Sequence, residues 1–234
     1  MQKLSMSSQR TSKNQISELD NLSRTDGSAI LCQGKTTVQC GVYGPTNVNV
    51  AKEDIEKANV DVILRPIMGQ STCHEKSLER MIRNTMENII MVNLYPYTSI
   101  TINVQVMCNA GSLLSCCINC ACLALMDSGL SMKCLVSAVT CAIMYDDSII
   151  IDPSESQEFD ARAILTFVFE SKSKKMLSLW TKGHCSSSEI TNCLNITRNH
   201  GDKVFTYYKE TAQKRLCKEL TYMQISDCIK SGNN

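Results

Sequence analysis

Between Asn109 and Asp127 the chain reads NAGSLLSCCINCACLALMD, a stretch of helical length with almost no polar face. A helix apolar on most sides must be buried nearly all round, so the rest of the chain has to surround it. With 234 residues, 43% of them hydrophobic, the chain can do so without a disulfide or metal staple. That length fits one large domain or two small ones. The longest apolar runs, Ile89 to Leu94 and Ala121 to Met126, fall far short of the ~20 residues that cross a bilayer. No membrane span is expected.

Fourteen cysteines accompany this core, seven of them between Cys108 and Cys141. The amino-terminal residues are rich in Ser, Gln and Lys and lack an apolar leader, so the expected compartment is cytosolic or nuclear and the thiols are expected to be reduced. Cys117-Ile118-Asn119-Cys120 is a C-x-x-C, but a zinc site needs four ligands and no second pair stands elsewhere. Free Cys in apolar company packs as a small hydrophobe. His74, His184 and His200 fall in no metal or nucleophile motif. No metal or cofactor is expected.

Residues 1–18 are polar and without periodicity, which predicts a mobile tail. Ser28–Gln33 and Thr36–Tyr43 flank Gly34-Lys35 and predict a hairpin, with Gly44-Pro45 ending its second strand. Val60–Leu64 and Ser99–Met107 predict strands. Glu75–Val92 has apolar residues at helical spacing and charges opposite, with Pro96 as the stop. The central helix should end near Gly129. Leu135–Met144, Ile149–Ile151, Ile164–Phe169 and Lys175–Trp180 predict four more strands. Ser186–Thr221 predicts a long helix with a possible break at Gly201. The order β-β-β-α-β-α-β-β-β-β-α is mixed α+β. One compact domain over 19–224 is expected, followed by a polar tail over 225–234.

Three groups of residues carry potential chemistry. Gly111-Ser112 lies at a strand-to-helix junction, where free N–H groups and the helix dipole attract anions. Leu113 follows, which brings no charge. Asp146, Asp147, Asp152, Glu155, Glu158 and Asp160 could hold Mg²⁺ or act in acid–base chemistry, or form a solvated loop. Lys76, Arg80 and Arg83 fall three and four apart on one helix, a spacing that could grip a phosphate backbone. Near-neutral charge, 24 basic against 23 acidic residues, excludes a broadly basic nucleic-acid coat but not such a patch.

Several segments in this order and spacing resemble the RNase PH family. They are Leu22-Ser23-Arg24-Thr25-Asp26-Gly27-Ser28-Ala29, Gln33-Gly34-Lys35-Thr36, Val42-Tyr43-Gly44-Pro45, Val62-Ile63-Leu64-Arg65-Pro66 and Glu75 through Thr85, then Ala110 through Asn119 and Leu125-Met126-Asp127-Ser128-Gly129. The resemblance covers roughly residues 19 to 221 and is closest to a ring subunit of the eukaryotic RNA exosome. It implies an RNase PH-like, ribosomal protein S5 domain 2-like α+β fold. It also implies a six-membered ring of sister subunits topped by S1/KH-type caps, with single-stranded RNA in the channel. The implied locations are nucleus, nucleolus and cytoplasm.

Active members of that family cleave RNA from the 3′ end with phosphate and carry an Arg where this chain has Leu113. Leu cannot donate a hydrogen bond or supply charge. The family's paired carboxylates fall near Glu158 and near Ala163 or Ile164, with Asp160 as an imperfect substitute. The resemblance therefore implies a structural, non-catalytic subunit. Its rival is an active RNase or DNase, acting as a homodimer outside the ring and using Glu158 or Asp160 with Mg²⁺ and the Arg80/Arg83 surface.

Overall fold

The computed structural model describes residues 15–48 and 53–231. Five strands build a first sheet: β1 (Gln15–Leu19), β2 (Gly27–Gln33), β3 (Thr36–Asn47), β4 (Asn59–Arg65) and β5 (Thr98–Cys108), in the order β1-β2-β3-β5-β4. Only the β4–β5 pair is parallel. Helix α1 (Cys73–Ile89) makes that crossover, and helix α2 (Leu113–Ser128) follows β5. A second sheet, wholly antiparallel, comprises β6 (Val136–Ile143), β7 (Ile149–Ile151), β8 (Ala163–Glu170) and β9 (Met176–Gly183), in the order β7-β6-β8-β9. Helix α3 (Glu155–Phe159) links β7 to β8, and helix α4 (Ser187–Ser231) closes the chain.

The layers follow from which faces are apolar. Every residue of β6 is buried, so that strand is covered on both faces. Val136, Ala138 and Val168 join α1, α2 and the first sheet in one core, while Cys141, Leu165, Phe167 and Phe169 meet Cys193 of α4 in another. The result is sheet, helices α1 and α2, sheet, helix α4. Helix α2 has the environment its composition requires, with an unbroken buried run from Leu114 to Leu125. Gly129 ends it at φ 69°.

One buried amide ties three layers together. Asn119 of α2 donates from Nδ2 to the Ala138 carbonyl at 3.0 Å, and its Oδ1 accepts from the Ala138 N–H at 2.8 Å and from the Tyr208 hydroxyl of α4 at 3.0 Å. Asn119 and Tyr208 are both fully buried.

The thiols of α2 belong to the packing. Cys116, Cys117, Cys120 and Cys122 are all inaccessible to solvent. Burial pushes Cys117 and Cys122 up to about 12, so neither ionises at neutral pH. The thirteen cysteines from Cys32 to Cys217 are all free. Native protein treated with a thiol reagent should therefore label Cys73, Cys108 and Cys217, the exposed ones among them, rapidly, and the α2 thiols only after denaturation. Rapid native labelling at α2 on peptide mapping would contradict this packing.

The structure corrects several expectations. Residues 15–18, expected as tail, belong to edge strand β1, paired antiparallel with β2 from Gln15↔Gln33 to Leu19↔Ala29. The tail's residues 1–14 lie outside the described residues. Strand β3 does not stop at Gly44; it continues to Asn47 through a register shift after Tyr43. Helix α1 ends at Ile89 rather than Val92, because Ile90 turns extended and bridges to Met132. The acidic loop contains α3, set by a capping box between Ser154 and Gln157. Helix α4 runs through Gly201 to Ser231, past the expected end at Thr221. Gly201 is no break: a Cβ there would stand 3.0 Å from Ser137 Oγ and 3.2 Å from the Phe169 ring, so glycine lets the helix approach the sheet.

Candidate anion site and basic helix

Strand β5 delivers the chain to a tight turn, Asn109 to Ser112, before α2 begins. The Thr36 hydroxyl, from the tip of the β2–β3 hairpin, holds this turn. It donates to the Gly111 carbonyl at 2.6 Å and accepts from the Ala110 N–H at 3.2 Å. The Gly111 N–H is satisfied by Asn109 Oδ1 at 3.2 Å. Gly111 has φ +104°, and a Cβ on it would lie 2.5 Å from the Pro153 carbonyl oxygen and 2.7 Å from the Glu155 nitrogen. The turn and the start of α3 are in backbone contact.

That contact is reinforced on both sides. The Ser112 hydroxyl donates to the Pro153 carbonyl at 3.0 Å, and the Glu155 N–H donates to the Ala110 carbonyl at 3.0 Å. Glu158, one turn into α3, accepts the Ser112 N–H on Oε1 at 2.5 Å. A carboxylate of the chain itself therefore sits on a donor at the amino end of α2, where the helix dipole favours negative charge. Leu113 packs against the core. The N–H groups of Ala110, Gly111 and Ser112 are all bonded within the chain.

The six acidic residues do not converge. Asp147 pairs with Arg162 at 3.0 Å, Asp152 accepts from Gln33 Nε2 at 2.8 Å, and Glu158 is on Ser112. Asp160 caps the end of α3 and is exposed. Ala163 and Ile164, nearest the second carboxylate position of the resemblance, are buried apolar residues of β8. Among the described residues, no group of three or more His, Cys, Asp or Glu could hold a metal ion. Arg162, which the sequence does not single out, binds both Asp147 and, at 2.5 Å, Glu189 at the start of α4. Those charges hold the Arg162 guanidinium above its ordinary range. The Ser186 N–H and Arg162 together lower the Glu189 carboxyl.

Lys76, Arg80 and Arg83 do share helix α1, but two of them are engaged. Lys76 lies 2.7 Å from Glu79, a buried carboxylate that also accepts the Leu64 N–H at 2.9 Å. Arg83 pairs with Asp61 of β4 at 3.2 Å. Arg80 is exposed and, among the described residues, has no ion-pair partner. The Lys76–Glu79 pair is open to sequence reasoning, since residues three apart on a helix are neighbours. The Arg83–Asp61 pair needs the β4–α1 packing.

Comparison with known proteins agrees with this architecture. Residues 12–131 match the 3′ exoribonuclease family, domain 1, and residues 134–199 match its domain 2. The chain is 29% identical to a rice (Oryza sativa subsp. japonica) protein named exosome complex exonuclease RRP46 homolog, over 83% of this chain and 88% of that one. It is 30% identical to the exosome complex component rrp46 of Schizosaccharomyces pombe, over 81% and 85%. The crystal structure of rice Rrp46 superimposes with a TM-score of 0.83 at 29% identity, covering 87% of this chain and 96% of that one. A chain of the Archaeoglobus fulgidus exosome with RNA bound to its active site shares the fold, with a TM-score of 0.74 at 16% identity over 85% and 89%. The break between the two matched regions falls in the α2–β6 connection, where the chain leaves the first sheet for the second. By both sequence and fold, the chain belongs to the 3′ exoribonuclease (RNase PH) family.

Proposed function

We propose that this chain is a non-catalytic structural subunit of an RNA exosome core ring. It helps to form the channel through which single-stranded RNA passes during 3′-to-5′ processing and decay. Its neighbours are sister RNase PH-like subunits, with S1/KH-type caps above, and it works in the nucleus, nucleolus and cytoplasm. Its relatives named as exosome components support the ring assignment.

The observation that carries the non-catalytic half is Glu158 on the Ser112 N–H, with Leu113 beside it. Phosphorolysis needs phosphate held and its charge neutralised. Here the donor is already bonded to a carboxylate, and the neighbouring side chain is a hydrocarbon. Loss of one preorganised donor costs about 3 kcal/mol of transition-state stabilisation, a hundredfold or more in rate. No second carboxylate stands at Ala163 or Ile164 to restore a metal pair.

The test is phosphorolysis of single-stranded RNA by the purified chain. No nucleoside diphosphate should be released, and Leu113→Arg alone should not start the reaction, because Glu158 still occupies Ser112. Release by that single variant would sink the reading. In the same assay, Mg²⁺-dependent cleavage of RNA or DNA that disappears with Glu158→Gln and Asp160→Asn together would favour the rival nuclease.

A further inference from the structure

Helix α4 carries His200, Lys203, Val204 and Tyr207, a spacing that places all four on one face. That face walls a cavity of about 350 Å³, closed elsewhere by β1 and β2 of the first sheet and by β6 of the second. Gln33, at the end of β2, stands in its lining, and Ala138 and Val139 of β6 line it with hydrocarbon. We propose that this cavity binds a ribonucleoside 5′-monophosphate whose base carries an amino group, with the base donating to Gln33 and the phosphate at Lys203.

Gln33 carries the argument. It is 3% exposed, and its Nε2 donates to Asp152 Oδ1 at 2.8 Å. A carboxylate can only accept, so that bond fixes which end of the amide faces Asp152. The other end, Oε1, is buried and accepts no hydrogen bond among the described residues. A buried acceptor in that state is costly, so a ligand that brings an N–H gains by satisfying it.

The rest of the lining says what else the ligand carries. The Tyr207 hydroxyl is committed to Ser17 Oγ at 2.6 Å, so Tyr207 offers its ring. Burial, and after it Lys203, lower the His200 imidazole below its ordinary range, so that ring is uncharged at neutral pH. Two uncharged rings with Val139 and Val204 match the flat faces of a heterocycle. Lys203 is exposed and is the one cation among the described lining residues. It matches an anion that stays at the water's edge. A free amine would satisfy Gln33 but meet Lys203 with like charge. The volume lies at the low end of small-molecule sites, the size for one nucleotide rather than several. Adenine, cytosine and guanine carry an amino group, and uracil does not.

This site is separate from the turn before α2, and its test involves no RNA turnover, so it stands or falls independently of the ring-subunit reading. The full chain is titrated calorimetrically with AMP, UMP, adenosine and a short oligoadenylate. AMP should bind, and UMP should bind at least about tenfold more weakly. Lys203→Gln, a change on the exposed rim, should weaken AMP about threefold or more and leave adenosine unchanged. Gln33→Leu should bring AMP down to the level of UMP. If that buried change unfolds the chain, the ratio of AMP to UMP in wild type and the Lys203→Gln result decide together. No binding of any nucleotide at millimolar concentration would overturn the proposal and leave Gln33 to water. So would equal affinity for AMP and UMP, or AMP binding that Lys203→Gln leaves intact. Oligoadenylate binding more tightly than AMP, and weakened by Lys203→Gln, would assign the cavity to an RNA strand and overturn it too.

Discussion

Replacing Asn119 with Leu should cost about 4 kcal/mol of folding stability and lower Tm by about 10 °C. The substitution keeps the number and branching of the side-chain heavy atoms and increases the apolar character of the most apolar helix in the chain, so hydrophobicity alone predicts a gain. Hydrogen bonding predicts the opposite. The Ala138 N–H and carbonyl and the Tyr208 hydroxyl all lose their Asn119 side-chain partner, in a place without access to solvent. Each stranded group costs about 1–3 kcal/mol. Burial holds the Tyr208 phenol protonated well above its ordinary range, so its donor is present at every working pH. Tyr208→Phe removes one of the three bonds and should cost a smaller amount, about 1 kcal/mol. Urea denaturation of the two variants separates the cases. An Asn119→Leu variant as stable as wild type would mean that the amide is not what joins α2, β6 and α4.

Gly111→Ala should be nearly as damaging, about 3 kcal/mol or more, for a different reason. The backbone there has φ +104°, which a side chain rarely adopts, and the added carbon would overlap the backbone of Pro153 and Glu155. Something must move, and α3 is the smaller body. Its displacement withdraws Glu158 from Ser112. Gly69, by contrast, also has a positive φ, but nothing stands within 4 Å of the position a Cβ would take. Gly69→Ala should cost only the backbone strain, about 1–2 kcal/mol. Chemical denaturation of the pair weighs crowding against strain: equal losses would remove crowding from the account of Gly111.

The parts of this fold legible in the sequence are those whose reason is local. Helix α2 declares itself because no side of it is polar, and α1 because its apolar residues return every three or four positions. Strands β6 and β8 are apolar at most positions on both faces, which no solvent-facing element would tolerate. Strand β1 escapes a reading of the sequence because only alternate residues are even half-buried and Ile16 is 64% exposed. Its order comes from pairing with β2 and from Ser17, which contacts Tyr207 and Thr211 of α4. Helix α3, five residues long, is too short to signal itself by periodicity. Gly201 misleads because glycine is both a helix breaker and the residue that permits close approach, and only the facing Phe169 decides between them.

The candidate site divides the same way. The missing cation at Leu113 can be read directly, since a residue type is either able to donate or not. Glu158 can be named from the sequence but not placed, because its partner Ser112 is 46 residues distant and the bond exists only once α3 crosses the head of α2. The basic helix looks stronger in the sequence than in the fold: charge can be counted from sequence, but Arg83 is neutralised by Asp61, on a strand that comes earlier in the chain.

The contact of Ser17 with Tyr207 and Thr211 also bears on how the protein is made. These partners are separated by 190 and 194 residues, so Ser17 of β1 waits for helix α4 before it has them. Translation at about 5–20 residues per second makes that delay roughly ten seconds or longer. Throughout it Ser17 lacks those partners, and over its later part Asn119 of α2 has been made while Tyr208 has not. Premature termination before residue 207 would leave both contacts unmade. The period of greatest risk for this polypeptide therefore falls during its synthesis, before Tyr208 and Thr211 have been added.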